Sequence, residues 1–496
     1  MNVTAVTKDK ATGKAIVVGV TSTDDKRQAP NLGMLLGDEP TARFLIENKT
    51  TSLGFGSVQS VPAMSAEKAL ILVGLGDTSK LTQEKLGTCI SNALKHAKGL
   101  GFDSVSTTLL EDCGMERDVA AQALVEGAIC GDLSFDQWKS QPKKKQPKSE
   151  IKRVQIVCDG RALAGVKKAV KTATIMAEAV NDARLLANTP ANVATPKWMA
   201  AEARKRGQKH GFKVSVKGRA ALRKEGFNAL CGVAQGSDNE EQLITMTYEP
   251  AKVTKHTKTL VLVGKGVTFD SGGISLKPGQ GMWDMKYDKC GACNVIAAMP
   301  AIAQLKPNHR VIGVTPCVEN MPSAKAQRPG DIVTAKDGTT IEVLNTDAEG
   351  RLILADAITY ARESFKPDWI IEQSTLTGAC AFAVGSTYVA AMSKDDAFVD
   401  SIVDAAARCG DKAWKLPQGE EFDDGNKGTY ADIQNISLKV KAGTSIGGAF
   451  VGHFAKDTTF CHLDIASKAW VDGMDYFGKG PTGAGLRIAV QRVMDE

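Results

Sequence analysis

The stretch 345–352 reads Asn-Thr-Asp-Ala-Glu-Gly-Arg-Leu and carries two acids two positions apart. In an extended segment, Asp347 and Glu349 would face the same side, and Arg351 follows at the same spacing. The β-branched run 339–344 predicts a strand before the stretch, and apolar residues at helical spacing predict a helix after it. The acids are therefore predicted on a strand-to-helix connection, where α/β sheets place their sites. A solvated turn before a helix that favours acids is an equally weighted alternative.

A second group of charged residues follows the apolar strand predicted at 259–263. Lys265, Asp270 and Lys277 lie among glycines that allow close turns, and Asp288 comes just before a predicted helix. Together with the first stretch, this places four acids and two lysines on the loops of one α/β unit. Hard oxygen ligands in this number suit a pair of divalent cations. Lys265 could be a ligand only as the neutral amine, which would require a strongly depressed pKa.

These residues resemble a known family, the leucyl aminopeptidases, which are the two-metal cytosol aminopeptidases. Residues 345–351 resemble the family signature, and the resemblance covers about 180–496 well and the N-terminal part loosely. The further matching segments are 264–273, Lys277, Asp288, 375–378 and 462–466. One departure is local: after Asp288 the family usually has Met and small residues, but this chain has Lys289 and Cys290. This departure affects the expected packing at the edge of the pocket, but not the assignment of Asp288 as a metal ligand.

An α/β protein of two domains is the predicted fold. At 496 residues the chain is long enough for two to four domains. Alternating predicted strands and helices indicate a mostly parallel sheet in the C-terminal part. We expect a small N-terminal α/β domain over 1–160, macro-like by the resemblance, a connecting helix over 161–187, and a catalytic metallopeptidase domain over 188–496.

The resemblance implies two divalent metal ions per subunit, zinc or manganese, with magnesium and cobalt also compatible with such ligands. One ion would be held by Lys265, Asp270, Asp288 and Glu349. The other would be held by Asp270, Asp347 and Glu349, so that Asp270 and Glu349 bridge the pair. The pair would orient the substrate amine, polarise the scissile carbonyl and lower the pKa of a shared water.

The resemblance also implies roles for residues that bind no metal. Lys277 would donate to the carbonyl oxygen as negative charge develops, and Arg351 would hold a bicarbonate ion that acts as the base. The implied substrates are peptides with N-terminal leucine or a similar residue, and the implied assembly is a homohexamer, a dimer of trimers. The residues implied to line the side-chain pocket are Met285, Thr375, Gly378, Ala466 and Ala469.

The composition is typical of a globular protein, with 43% hydrophobic and 24% charged residues. A net charge of +6 is too dilute over this length to indicate a nucleic-acid or membrane partner. Eleven cysteines without a pairing pattern predict reduced thiols in the cytoplasm, and no secretory or membrane-spanning segment is predicted. The basic run 141–148 is interpreted as an exposed loop in preference to a nucleic-acid patch.

Other features of the sequence allow interpretations that compete with a two-metal peptidase. Cys290 and Cys293 have redox or zinc spacing, but no second pair accompanies them, which favours small buried thiols. Ser445 lies in a Gly-x-Ser-x-Gly pattern, yet a triad with Asp457 and His462 is hard to build in eighteen residues, so a glycine-rich helix start is favoured. His462 is predicted to be a packed core residue. A non-catalytic binding protein, such as a DNA-binding relative, would be expected to lack a carboxylate of the set, and none is missing.

Overall fold

The computed structural model describes residues 1–23, 26–36, 40–47, 53–62, 68–140 and 149–496. The basic run 141–148 lies outside the described residues. The chain divides into two compact units. Unit 1 comprises 1–181 and 473–478, and unit 2 comprises 182–472 and 479–496.

Unit 1 is an α/β domain built on one sheet of seven strands within its described residues. The strand order is β1-β7-β6-β2-β5-β4, with β3 paired to β2, and parallel pairs dominate its centre. The predicted strand over 104–110 is shorter than expected, because the helix α4 begins at Leu109. The strands are β1 Asn2–Val6, β2 Ala15–Thr23, β3 Lys26–Gln28, β4 Val58–Pro62, β5 Ala69–Gly76, β6 Ser104–Thr107 and β7 Arg153–Val157. The helices are α1 Gly33–Leu36, α2 Pro40–Glu47, α3 Gln83–Leu100, α4 Leu109–Asp112, α5 Arg117–Gly131 and α6 Leu163–Asn188, the last of which continues into unit 2.

Unit 2 is built on a sheet of nine strands in the order β17-β16-β19-β15-β10-β12-β9-β8, with β11 paired to β12. Its strands are β8 Lys213–Gly218, β9 Gln242–Tyr248, β10 Thr259–Gly264, β11 Gly266–Asp270, β12 Arg310–Asn320, β13 Ile332–Thr334, β14 Thr340–Glu342, β15 Trp369–Ser374, β16 Val389–Met392, β17 Ala413–Lys415, β18 Ile433–Gln434 and β19 Thr459–Asp464. Two further strands, β20 Trp470–Met474 and β21 Gly478–Pro481, lie partly within the stretch 473–478 that belongs to unit 1. Its helices are α7 Pro196–His210, α8 Arg219–Lys224, α9 Asn228–Ala234, α10 Cys290–Leu305, α11 Glu349–Phe365, α12 Ala379–Val384, α13 Asp396–Arg408, α14 Glu420–Gly425, α15 Gly443–His453 and α16 Leu486–Met494.

The centre of this sheet is parallel, as the alternating pattern predicts. Strands β12, β10, β15 and β19 run in one direction, while β9 and β8 add antiparallel pairs at one edge. Residues 260–264 of β10 are all buried, which is typical of a strand covered on both faces by helices. The α/β prediction with a mostly parallel central sheet is therefore confirmed.

The hydrophobic core of unit 2 includes side chains from β10, β12, α9 and α11. Helix α10 is apolar around its whole circumference, and thirteen of its residues are buried. The parallel strands β10, β15 and β19 end at Gly264, Ser374 and Asp464, so the residues that follow them meet at one edge of the sheet. No helix in the described part of the chain is long and apolar enough to cross a bilayer.

Candidate metal centre

Lys265 follows the last residue of β10 and lies where helix α10 approaches the sheet most closely. Its backbone N–H donates to Gln373 O at 3.1 Å, and its carbonyl accepts from Ala292 N at 2.7 Å. This approach requires glycine: a Cβ on Gly291 would lie 2.1 Å from the Gln373 carbonyl oxygen. Two strands and one helix thus hold the backbone of Lys265, and its side chain is only 3% exposed.

The acidic loop, residues 344–348, is a turn rather than the extended segment that the spacing predicts. The amide of Asp347 donates to Asn345 Oδ1 at 2.8 Å, and helix α11 begins at Glu349. The prediction that the two carboxylates share one face of an extended segment was therefore wrong, although the two side chains do converge. They converge because Asp347 lies in a turn and Glu349 begins the next helix, whose N-terminus favours a negative side chain.

Four carboxylates and two ammonium groups converge here, as the two sequence stretches predict. Lys265 Nζ lies 2.8 Å from Asp288 Oδ1 and 2.8 Å from Glu349 Oε1. Lys277 Nζ lies 2.8 Å from Asp270 Oδ2 and also pairs with Asp347. The charges alternate in sign, and all six side chains are buried or half-buried.

Neutral groups hold these carboxylates in place. Asp270 Oδ1 accepts from Gly272 N at 2.9 Å and from Asn320 Nδ2 at 2.8 Å. The same amide nitrogen of Asn320 donates to the Thr346 carbonyl at 3.0 Å, which links β12 to the acidic loop. Asp288 Oδ1 accepts from the Thr375 hydroxyl at 2.7 Å. Asn320 was not predicted as a site residue, and no signal in the sequence distinguishes it from other asparagines.

The charges perturb one another strongly. Burial raises the pKa of Glu349, Asp288 and Asp347, and the neighbouring charge of Asp270 raises each further. Burial alone would lower the pKa of Lys265, but Asp288, Glu349 and Asp270 raise it above its ordinary value. Lys265 is therefore an ammonium in this structure, and its charge occupies the position of a cation among the carboxylates.

The donor set fits divalent cations. One carboxylate oxygen each of Asp270, Asp347 and Glu349 lies within 4.8 Å of the others. Among the described residues, Asp288 Oδ2 and Glu349 Oε2 are buried without a hydrogen-bond partner. Buried polar atoms are rarely left unpaired, and these two acceptors point to a positively charged ligand. Their surroundings of hard oxygen donors suit zinc, manganese or magnesium.

Arg351 lies two residues into α11 and is 7% exposed. Its Nη1 donates to the Asn435 carbonyl, and its Nε is buried without a hydrogen-bond partner among the described residues. Burial lowers the pKa of Arg351 to about 10, which leaves the guanidinium charged at neutral pH. A buried cation with an unused donor suits a small anion.

The residues expected to line the side-chain pocket differ in their exposure. Met285 lies in the 3₁₀ helix Met282–Tyr287 and is half-buried, and Gly378 is exposed at the start of α12. Thr375 contacts Asp288, whereas Ala466 packs against the small cluster of Cys380, Ala390 and Met392. Ala469 is 1% exposed. The structure brings Thr375 to the charged cluster, and the lining roles of all five stay predictions.

Lys289 has a structural role that the sequence did not reveal. Its side chain is fully buried, and its ammonium donates to three main-chain carbonyls. The acceptors are Ala187 O at 3.0 Å, Thr189 O at 3.0 Å and Lys286 O at 2.5 Å. These bonds tie the end of α6 to the 3₁₀ helix that precedes Asp288. Lys289, the residue that departs from the family pattern, thus fills the interior of the protein next to Asp288.

The structure also tests the competing interpretations of Ser445, His462 and the cysteines. Ser445 is 4% exposed within α15, which confirms the glycine-rich helix start. His462 is completely buried on β19 and pairs with Glu372 on β15, which confirms a core histidine. All eleven cysteines are buried, and none of them is in a disulfide, which confirms the prediction of small buried thiols. Burial raises the pKa of Cys293 to about 12, so its thiol stays protonated at neutral pH.

The fold and the site together define an α/β protein with a buried carboxylate–lysine centre for divalent cations. Family models match two parts of the chain: the cytosol aminopeptidase family catalytic domain over 181–490, and the N-terminal domain of the same family over 50–142. The "Cytosol aminopeptidase" of Pseudomonas aeruginosa is 40% identical over 441 residues, which cover 88% of this chain and 87% of that protein. A "Probable cytosol aminopeptidase" of Solibacter usitatus is 42% identical over 435 residues, which cover 88% of each.

A solved structure is also similar. It is described as "Bottromycin maturation enzyme BotP in complex with Mn", with a TM-score of 0.85, 28% identity and coverage of 98% of this chain and 99% of that one. The chain belongs to the cytosol aminopeptidase family, as the sequence resemblance predicts. Its activity is that of a metal-dependent aminopeptidase, a hydrolase.

Proposed function

We propose that this aminopeptidase removes N-terminal leucine and similar residues from peptides at the centre formed by 265–288 and 345–351. The observation that carries the proposal is the convergence of four carboxylates and two lysines. Two of the buried carboxylate oxygens have no hydrogen-bond partner within the part of the chain that the structure describes. Lys265 follows β10 and Asp270 ends β11, so the cluster lies at the edge where strands of the central sheet end. Such an edge is where α/β sheets bind substrates.

Five side chains would hold the metal pair. We assign Lys265, Asp270, Asp288 and Glu349 to one ion, and Asp270, Asp347 and Glu349 to the other. The three carboxylates of the second set are those whose ligand atoms lie within 4.8 Å of one another. For Lys265 to act as a ligand it must lose its proton, and entry of a dication beside it favours that loss. When bound, two dications supply Lewis acidity at the scissile carbonyl and activate a water as nucleophile.

Lys277 is proposed to stabilise the negative charge that develops on the carbonyl oxygen. Its ammonium has three donors, of which Asp270 and Asp347 use two in this structure. Although burial lowers it, the pKa of Lys277 is raised by Asp270 and Glu349, so the group remains a cation at neutral pH. A fixed cation of this kind stabilises the transition state more than the ground state.

Arg351 is proposed to hold bicarbonate. Its planar guanidinium presents donors in a fork that matches a planar oxyanion, and its Nε has no hydrogen-bond partner among the described residues. Bicarbonate in this place would serve as the general base of the reaction. No histidine would then be required for proton transfer, in keeping with the burial of His462 in the core.

The preference for leucine rests on the five residues expected to line the pocket. These are Met285, Thr375, Gly378, Ala466 and Ala469, which are small or flexible and would accept a branched aliphatic side chain. The proposal also includes zinc or manganese as the usual metals, a homohexamer as the assembly and the cytoplasm as the location. The name of the relative in Pseudomonas aeruginosa, "Cytosol aminopeptidase", supports the cytoplasmic location.

Hydrolysis of leucine-amide by metal-free and metal-loaded protein tests the proposal. We expect excess chelator to abolish activity and manganese or zinc to restore it, because the ions supply both the Lewis acid and the nucleophile. Glu349→Gln should lose bound metal, measured by elemental analysis. The matched control is Asp337→Asn, which changes a carboxylate that is 2% exposed and pairs with Lys456 outside the site. Full activity in chelator, in protein shown to be metal-free, would refute the two-metal mechanism.

The leucine preference needs a separate comparison. We expect kcat/KM for leucine-amide to exceed that for glycine-amide and aspartate-amide under identical metal loading. The physical reason is the apolar area that a leucine side chain removes from water, worth about 1.5–3 kcal/mol when the side chain is fully buried. Equal kcat/KM values for the three amides would contradict the proposed leucine preference, but not the peptidase activity.

A further inference from the structure

Asn435 lies at the end of a short strand that runs beside the acidic loop. Strand β18 pairs in parallel with β14, with Ile433 opposite Ile341 and Gln434 opposite Glu342. The pairing continues one residue further, because the Asn435 amide donates to the Glu342 carbonyl at 3.0 Å. Asn435 is completely buried, and it therefore lies directly against the residues that lead into the acidic loop.

The side-chain amide of Asn435 makes three hydrogen bonds to the start of the acidic loop. Its Oδ1 accepts from Leu344 N at 2.8 Å and from Asn345 N at 3.3 Å, and its Nδ2 donates to Asn345 O at 2.6 Å. A carboxamide can do this because it combines a double acceptor with a donor on one planar group. Neither Ala nor Leu at this position would offer any of these bonds.

The main chain of the same residue holds the other end of the loop. The Asn435 carbonyl accepts from Arg351 Nη1, which lies beyond the two acids along the chain. One buried residue thus contacts both Leu344–Asn345 and Arg351, the two flanks of Asp347 and Glu349. If the side-chain bonds were lost, only the main-chain pairing of β18 with β14 would hold the carbonyl that Arg351 contacts, and its distance from the start of the loop would be less tightly fixed.

We propose that Asn435 is a positioning residue that fixes the positions of the proposed metal-binding acids and of the Arg351 guanidinium relative to each other. The inference rests on the proposed function of this site and adds a residue that does not itself touch metal or substrate. Residues that orient metal ligands in this indirect way typically change metal affinity or activity by about 10–100-fold when they are removed.

The test compares Asn435→Ala and Asn435→Asp with a matched control, Asn426→Ala. Asn426 is also a buried asparagine on the chain segment before β18, and its Nδ2 donates to Ile446 O at 3.0 Å, away from the acidic loop. Titration calorimetry measures manganese binding to the metal-free proteins. The bicarbonate concentration for half-maximal hydrolysis of leucine-amide and the thermal midpoint are measured alongside.

For Asn435→Ala we expect manganese affinity to fall by about 10–100-fold, and the half-maximal bicarbonate concentration to rise. Asn435→Asp keeps the shape and both acceptor bonds, but it replaces the donor to Asn345 O with a carboxylate oxygen that this carbonyl repels. We therefore expect manganese affinity to fall by at least about fivefold, the equivalent of one lost hydrogen bond of about 1 kcal/mol. The aspartate variant also serves if the alanine variant does not fold. Asn426→Ala should bind manganese and respond to bicarbonate like the unmodified protein.

The measurements on the two Asn435 variants can also contradict the inference. If both Asn435 variants bind manganese and respond to bicarbonate like the unmodified protein, while their thermal midpoints fall, Asn435 is a structural residue and the inference is wrong. Failure of the proposed function would look different, because the unmodified protein itself would then bind no metal or be active without it. If the unmodified protein does not respond to bicarbonate, manganese affinity still decides the role of Asn435.

Discussion

Replacement of Arg351 should separate proton transfer from metal binding. Arg351→Met removes the cation but keeps an unbranched side chain of similar length in a site that is 7% exposed. Because arginine is not a metal ligand, we expect the metal content per chain to be unchanged. The buried Asn435 carbonyl loses its donor, at a cost to stability of about 1–3 kcal/mol, which is less than the usual free energy of unfolding, so the variant should fold.

The expected loss of activity follows from the role assigned to the guanidinium. General-base catalysis contributes about 10²–10⁴-fold to a rate, which corresponds to about 3–5 kcal/mol of activation free energy. Burial lowers the pKa of Arg351 only to about 10, so the charge that would bind bicarbonate is present throughout the neutral range. We therefore expect Arg351→Met to lower kcat within that range and to blunt the response to added bicarbonate.

The assay is leucine-amide hydrolysis in carbonate-free buffer, with bicarbonate added in steps and metal content measured on the same samples. Arg351→Lys is the matched control: it keeps the positive charge but loses the planar fork, and we expect an intermediate response. If Arg351→Met retained full kcat and the full bicarbonate response, the arginine would have only a structural role and the base would lie elsewhere.

Three further predictions concern other residues. Asp270→Asn should lower the metal content per chain more than Asp288→Asn, because Asp270 is assigned to both ions; elemental analysis showing the reverse order would contradict this assignment. Ser445→Ala should keep most of the activity, since Ser445 is a buried helix residue, and a loss of about 10⁴-fold or more in a folded variant would favour a serine nucleophile instead. Burial alone would raise the pKa of Asp411, but Lys468, 2.7 Å away, helps hold that pKa well below its ordinary value. Because its folded pKa is depressed, the stability Asp411 contributes is fully present above the ordinary pKa of about 4 and is lost progressively as the pH falls from there through the lower pKa of the folded state. Asp411→Asn should therefore lower the free energy of unfolding at pH 7 by about 3–5 kcal/mol, and denaturant titrations should show the difference shrinking below about pH 4; a constant difference would refute it.

Local sequence patterns predicted the regular elements around the site well. The apolar run at 259–263 forms β10, and the apolar helix predicted from 291 is α10. Such elements are predictable because continuous burial on a parallel sheet selects runs of β-branched and aliphatic residues. The convergence of the charged side chains was also predicted, because carboxylates and lysines in this number on neighbouring loops suit a pair of divalent cations.

The turn at 344–348 was not predictable from spacing. A period of two suggests an extended chain, but the bond from Asp347 N to Asn345 Oδ1 bends the backbone, and α11 starts immediately afterwards. Short polar side chains compete with the backbone for hydrogen bonds, and the surrounding structure decides which pattern forms. The two acids converge all the same, through a turn and a helix start.

By itself, the sequence determined the fold class, the family and the identity of the charged residues, since these depend on residue type and short-range order. Only the tertiary structure decided which charges meet. Lys265 lies beside Glu349 and Thr375, which are far along the chain, because parallel strands end at one edge of the sheet and α10 packs closely there through Gly291. The same packing buries Lys289 and Asn435 completely, and their hydrogen bonds go to main-chain atoms of distant segments. Main-chain atoms carry no sequence signal, so no pattern of residue types could have indicated these contacts.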